Sequence, residues 1–173
     1  VMQALARGTQ VLGDPAYLQA AREGVGVFAR RPPAGVRVPA GDGVHFLHYS
    51  FNPRLRILNA FLQSLVGLHD YAEAADDDRA RALFRAGERR ARQEVPPADT
   101  GAWSRYSAGG NESDLGYHQL LRDFLRSMCD RTKAAVYCTT ADRFQRYLRE
   151  KPGVRLLRSG RPRARRAAAT RFM

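Results

Sequence analysis

Tyrosine and histidine side chains that could carry acid–base chemistry lie between the helical stretches of this sequence. Tyr49 ends one stretch rich in Gly and Pro, Tyr106 lies in a second, and Tyr117-His118 opens the helical stretch that follows. A phenol has an ordinary pKa near 10 and both donates and accepts hydrogen bonds. A single loop tyrosine is more typical of an amphipathic residue at the rim of a fold. Three such loops next to buried helices favour a functional site, because loops on a rigid scaffold usually hold the functional residues.

The common signatures of metal, phosphate and hydrolase sites are absent from the sequence. No Ser-His-Asp set can be assigned, and there is no Gly-rich phosphate cradle, His-Glu-x-x-His or EF-hand pattern. The run Asp76-Asp77-Asp78 is better explained as a helix start than as a metal site, because the helix dipole favours acids there. Cys129 and Cys138 lack zinc-finger spacing and are too few for a disulfide framework, so we expect two small buried side chains. We expect no metal and no cofactor.

The charge of the chain is concentrated at one end. The 173 residues carry a formal net charge of +12, but residues 151–173 hold eight basic residues and no acid. We expect residues 1–150 to form the folded domain and residues 151–173 a basic, disordered tail. A solvated tail that binds polyanions nonspecifically explains this charge better than a specific nucleic-acid partner does.

Membrane and export signals are also absent from the sequence. No apolar stretch is long enough to cross a bilayer, and the first 30 residues lack the pattern of a signal peptide. The localisation is therefore left open.

Helical periodicity predicts most of the secondary structure. Asp14-Pro15 begins a helix expected to end near residue 30, and further helices are expected at about 116–131 and 140–149. Between the end of the first helix and a further helix that begins near residue 55, residues 33–54 contain Gly, Pro and short apolar runs, which predict a loop with a small hairpin.

The stretch 55–74 differs from the other helices because apolar residues cover most of its circumference. It predicts a helix that is buried on nearly all sides, followed by an amphipathic helix over 76–95. This order is typical of inner and outer helices in a layered α/α arrangement. Asn59 and Gln63 share one face of the buried helix, so their amides must either bond a neighbouring loop or line a polar cavity.

Several motifs combine residue types at fixed intervals. In the segment 49–71, Tyr49 and Asn59 are ten residues apart. Asp99-Thr100-Gly101 is followed by Tyr106, and Tyr117-His118 has Asn111 six residues before the tyrosine. The last motif is the run Val1 to Leu5. These motifs resemble those of the C-terminal domain of the D-glucuronyl C5-epimerase family. The run Val1 to Leu5 resembles the end of the glutamine-rich helix start of that family. The resemblance covers residues 1 to about 150.

This resemblance implies a mainly α fold, an incomplete α/α-toroid of helical hairpins with short β and loop insertions. It also implies a reaction, the inversion of C5 of glucuronate units in an acidic polysaccharide to give iduronate. The family's substrates are heparan sulfate or heparosan-like chains of glycosaminoglycan biosynthesis. Removal of the C5 hydrogen, which is α to a carboxylate, needs a base on one face of the sugar, an acid on the other and neutralisation of the carboxylate.

The resemblance also implies roles for individual residues. Tyr49 and Tyr117 become the acid and base candidates, with Tyr106 as a further catalytic participant, and nearby cations are expected to lower a tyrosine pKa. The residues expected to bind the substrate are Gln3, His48, Asn59, Gln63, Asn111 and His118.

Departures from the family pattern concern three of its positions. His48 replaces a glutamate of animal members, Gly109 replaces an arginine, and Gln63 replaces a tyrosine. We hypothesise that His48 takes over part of the glutamate's role.

The chain also matches only part of the family's proteins, so we expect an N-terminally truncated member. Uncovered apolar helix faces would then allow association, such as a homodimer. The preference for Arg over Lys favours a bacterial source.

Other functions stay open at this point. An α/α-toroid uronate lyase begins with the same proton abstraction but then expels the C4 substituent. A catalytically inactive polysaccharide-binding remnant is the non-enzymatic alternative. A role in nucleic-acid binding rests on the basic tail alone.

Overall fold

The computed structural model describes residues 1–150. These residues contain six α-helices and one β-hairpin, joined by loops. The helices are α1 (Met2–Leu12), α2 (Ala16–Ala29), α3 (Leu58–Ala75), α4 (Asp78–Glu94), α5 (Leu115–Thr132) and α6 (Ala135–Glu150), and a 3-10 turn covers Pro96–Ala98. The antiparallel strands β1 (Arg37–Ala40) and β2 (Gly43–Phe46) lie between α2 and α3. The predicted mainly α class is confirmed, whereas the closure of a toroid and the domain division stay predictions. The predicted tail and the side chain of Gln3 lie outside the described part of the structure.

The helix predictions agree with the structure to within a few residues for α2, α3, α4 and α5, and the predicted hairpin is present. Two differences concern the ends of the chain. The sequence reasoning proposed no separate helix for α1, and α6 begins at Ala135, five residues before its predicted start.

Helix α3 lies at the centre of the fold and packs against α1, α4 and α5. Its apolar residues are almost completely buried, including Phe61, Leu62 and Leu65. The expected burial on nearly all sides is therefore confirmed, with Gln63 as an exposed exception. Because each side of α3 needs an apolar neighbour, this helix determines where the others can lie.

Helix α4 approaches the hairpin and α3 closely at Gly87. A Cβ atom at this position would lie 2.5 Å from Leu65 Cδ2 and 2.8 Å from Phe46 Cε2, so a side chain has no room here. The start of α4 agrees with the sequence prediction, because Asp77 is its N-cap and accepts a hydrogen bond from the Ala80 backbone N–H at 2.9 Å.

The two cysteines correct a prediction. We expected small buried side chains, but Cys129 of α5 and Cys138 of α6 form a disulfide and are each only half-buried. The turn between α5 and α6 brings the two positions together, with nine residues of sequence separation. A single bridge needs no framework of further cysteines, and counting cysteines therefore did not reveal it.

No helix among residues 1–150 has both the length and the apolar character that crossing a membrane requires.

We predict that the disulfide stabilises the α5–α6 pair by restricting the unfolded chain. For a loop of this length, the variant carrying both Cys129→Ser and Cys138→Ser should lose about 2.5 kcal/mol of unfolding free energy. Urea denaturation with and without a reductant measures this loss. The double variant is also the control, because the reductant should leave it unchanged. Two free thiols in the unreduced, denatured wild-type chain would contradict the bridge.

Candidate active site

The loop between η1, the 3-10 turn over Pro96–Ala98, and α5 is fastened to α6 by the Asp-Thr-Gly motif. Asp99 Oδ1 accepts hydrogen bonds from the Gly101 backbone N–H at 2.9 Å and from the Tyr147 hydroxyl at 3.0 Å. Its Oδ2 atom pairs with Arg143 Nη1 at 3.1 Å. The motif that resembles the family therefore supports the loop that carries Tyr106.

A buried polar network lies at the base of this loop. His118 is completely buried, and its ring stacks on Trp103 with 3.6 Å between the ring centroids. His118 Nε2 lies 3.1 Å from the Phe144 backbone oxygen and therefore carries the donated hydrogen. In the neutral ring, Nδ1 then accepts from Ser104 Oγ at 2.8 Å, and this hydroxyl is 2.7 Å from Ser113 Oγ. The network joins the loop, α5 and α6.

The predicted contact of His118 with the sugar does not agree with this position. A ring with no exposed surface and both nitrogens engaged cannot contact a ligand in this arrangement. The chemistry of the ring supports the loop instead. Sequence spacing could not show this, because Ser104 and Phe144 reach His118 only through the tertiary fold.

The same loop is also bound to the beginning of α3. The Ala108 backbone N–H donates to the Arg56 carbonyl at 2.9 Å, and Ser107 forms an isolated antiparallel bridge with Ile57. These contacts bring Tyr106 near the loop that follows β2, which contains Tyr49.

The three predicted catalytic tyrosines come together at this place. The rings of Tyr106 and Tyr117 meet edge to face with centroids 4.7 Å apart. Tyr117 and Tyr49 are both close enough to raise the pKa of Tyr106. Asp114 caps α5 and positions Tyr117 by accepting its backbone N–H at 2.8 Å. Three loops that are separate in the sequence thus build one phenolic cluster.

The electrostatics at Tyr106 differ from the effect that nearby cations would have. Burial raises the pKa of Tyr106, and Tyr117, Tyr49 and Asp114 raise it further. The neutral phenol of Tyr106 is therefore the form that its surroundings favour. This cluster keeps at least one hydroxyl available as a proton donor at neutral pH.

The remaining predicted binding residues fall into two groups. Asn111 is exposed and lines a cleft of about 490 Å3 with Tyr106, Asp114 and Tyr117. Its backbone oxygen accepts the Tyr106 N–H at 3.1 Å.

His48 and Gln63 are exposed and line a different cleft of about 310 Å3. The His48 ring is also 4.3 Å from the Tyr49 ring, so this cleft lies beside the loop that carries Tyr49. Asn59 is buried, and its Oδ1 atom has no hydrogen-bond partner among the described residues. The two alternatives for the amide pair were a bond to a neighbouring loop and a place in the wall of a polar cavity. Gln63 agrees with the second, because it lines a cleft.

Sequence reasoning missed several residues of the site. Asp114 could have been found, because an Asp immediately before a helical stretch is a typical N-cap. Phe51 is 81% exposed, and its ring lies 5.3 Å from the Tyr49 ring. No sequence signal distinguishes it from an ordinary loop residue. Among residues 1–150, no group of three His, Cys, Asp or Glu side chains is placed to hold a metal ion.

Comparison with known proteins identifies the family of this chain. Residues 1–146 match the family described as D-glucuronyl C5-epimerase C-terminus, and the chain belongs to that family. Among its relatives, the D-glucuronyl C5-epimerase of Caenorhabditis elegans is 29% identical over 163 residues. The match covers 83% of this chain but 26% of the relative, so the chain spans about a quarter of that protein's length.

We predict that Tyr117→Phe lowers the pKa of Tyr106, because the change removes a hydroxyl that raises it. Burial, the largest cause, remains, and the Tyr106 pKa should therefore stay above its ordinary value near 10. NMR titration of chains labelled with 13C at tyrosine Cζ measures each phenol separately. Tyr17→Phe on α2 is the matched control and should leave the Tyr106 titration unchanged. An unchanged Tyr106 pKa in Tyr117→Phe would contradict the interaction.

Proposed function

We propose that this chain inverts C5 of D-glucuronate units in an acidic polysaccharide, and that its tyrosine cluster transfers the protons. The observation that carries the proposal is the ring contact between Tyr106 and Tyr117, with Tyr49 close enough to affect the pKa of Tyr106. The family relationship supports an epimerase of this kind.

The chemistry of C5 agrees with phenolic groups. The C5 hydrogen is a weak carbon acid, and a phenolate is a stronger base than an ordinary carboxylate. A proton donor must also be available on the opposite face of the sugar. A cluster of tyrosines can supply both groups, since each phenol can exist in either protonation state.

The positions of the three tyrosines support a division of roles. Tyr106, whose raised pKa keeps it neutral, can donate a hydrogen bond to the neighbouring Tyr117. A hydrogen bond donated to a phenolate stabilises the charged form, so Tyr106 would assist deprotonation of Tyr117. Tyr117 and Tyr49 would then act on the C5 proton, one as base and one as acid.

The supporting residues would act on the position of this cluster. His118 and Ser104 hold the loop from below, and Asn111 lies in the cleft that a sugar would enter. The expected partner is the acidic polysaccharide. Its carboxylate needs a cation near the cleft.

The experiment is incubation of the full chain with a glucuronate-containing oligosaccharide in D2O, followed by proton NMR at C5. Loss of the C5 proton signal with formation of iduronate is the expected result. Each of Tyr49→Phe, Tyr106→Phe and Tyr117→Phe should slow the exchange by about 10²- to 10⁴-fold, which is the usual contribution of one acid or base. Tyr17→Phe should retain the wild-type rate.

Two results would contradict the proposal. An unsaturated product that absorbs in the ultraviolet would identify a uronate lyase. Binding of the oligosaccharide without any exchange at C5 would identify a polysaccharide-binding domain.

A further inference from the structure

A third, smaller cleft lies beside the loop that follows Tyr106. It has a volume of about 130 Å3, and its wall includes Arg56, Arg90, Glu94 and Gly109. Ser107 lines both this cleft and the cleft of the tyrosines. A sugar chain that is held at the tyrosines and continues past Ser107 would reach the two arginines.

The wall of this smaller cleft carries more positive than negative side chains. Glu94 Oε1 is shared by Arg90 Nε at 2.6 Å and Arg56 Nη1 at 3.5 Å, while Oε2 bonds His45 Nδ1 at 2.7 Å. Burial raises the pKa of Glu94, but His45 and Arg90 outweigh this effect and hold the pKa below its ordinary value. The carboxylate is therefore ionised at neutral pH, and two guanidinium groups face one negative charge.

Arg56 has hydrogen-bond donors to spare. A guanidinium group carries five N–H donors. Within residues 1–150, the structure gives this side chain one ion pair, at the long distance of 3.5 Å. Arg90 also donates to Gln93 Oε1 at 3.0 Å and is therefore more fully bonded. The side chains of Arg56 and Arg90 are 28% and 23% exposed, so a ligand can reach them at a partly desolvated site.

The size and shape of this site select a small anionic group. At about 130 Å3 the cleft is much smaller than the cleft of about 490 Å3 beside the tyrosines, and it therefore suits a substituent better than a whole sugar unit. The planar fork of arginine matches the two oxygens of a carboxylate, or two oxygens of a sulfate.

We propose that Arg56 and Arg90 form a subsite for an anionic group farther along the polysaccharide, either the carboxylate of the next glucuronate, two units from the one held at the tyrosines, or a sulfate on the sugar between them. Glu94 orients the two guanidinium groups and is itself held by His45. The identity of the ligand as part of an acidic polysaccharide rests on the proposed function. The binding of an anionic substituent can be measured without turnover.

The test is calorimetric titration of the full chain with a non-sulfated hexasaccharide of alternating glucuronate and N-acetylhexosamine. At about 0.15 M salt, Arg56→Gln should weaken binding about tenfold, because a charge-assisted hydrogen bond is lost. Arg56→Lys should restore only part of the affinity, because lysine keeps the charge but not the fork.

Arg79→Gln is the matched control, because it removes the same charge from the exposed first turn of α4. It lies about 16 Å along the helix from Arg90, at 1.5 Å per residue. Equal affinity of Arg56→Gln and Arg79→Gln for both the non-sulfated and a sulfated hexasaccharide would overturn the subsite, as would a wild-type chain that binds neither ligand. Thermal unfolding of both variants checks that the fold is retained.

The outcomes separate this inference from the proposed function. Weakened binding in Arg56→Gln together with absence of C5 exchange in the wild type would support the subsite and contradict the epimerase. Normal exchange with unchanged binding in Arg56→Gln would do the reverse. A parallel titration with a sulfated hexasaccharide identifies the group, because a loss confined to the sulfated ligand assigns the subsite to sulfate.

Discussion

The burial of α3 on nearly every side is the constraint on which the rest of the structure depends. An isolated helix of this kind would leave apolar surface in water, so α1, α4 and α5 must pack around it. The two loops that carry Tyr49 and Tyr106 both come to its first turn. One leads directly into the helix, and the other bonds to Arg56 and Ile57 just before it. The tyrosines meet because one buried helix is the common support of both loops.

Buried polar groups hold these loops because each must find a partner within the protein. The ring of His118 bonds Ser104 of the loop and Phe144 of α6, and an unmet bond here would cost about 1–3 kcal/mol. The Glu94 carboxylate similarly joins His45 of the hairpin to Arg90 on its own helix. Both networks use long-range contacts that the apolar core alone would not specify. They give the site one arrangement rather than several.

Helices α5 and α6 pack against each other, and bonds at two places along this pair support the proposed site. At one end the Cys129–Cys138 disulfide closes the turn between them, and His118 bonds across to Phe144 farther along the pair. Asp99 adds contacts from the loop to α6 through Arg143. A loop that is held on both sides in this way can keep Tyr106 partly desolvated. That desolvation is the largest reason for its raised pKa and for its assignment as a neutral donor.

The sequence alone predicted most of the helices, the hairpin and the tyrosines that we propose as catalytic. Helical period and caps are local properties, and the motif intervals that resemble the family are local as well. The tertiary structure decided three other matters: that His118 is buried, that the cysteines are bonded, and that Tyr106 is harder to ionise. Each depends on groups such as Ser104, Cys138 and Tyr117 that lie at least nine residues away along the chain. Burial, bonding and pKa follow from distances in space, and a linear pattern does not contain those distances.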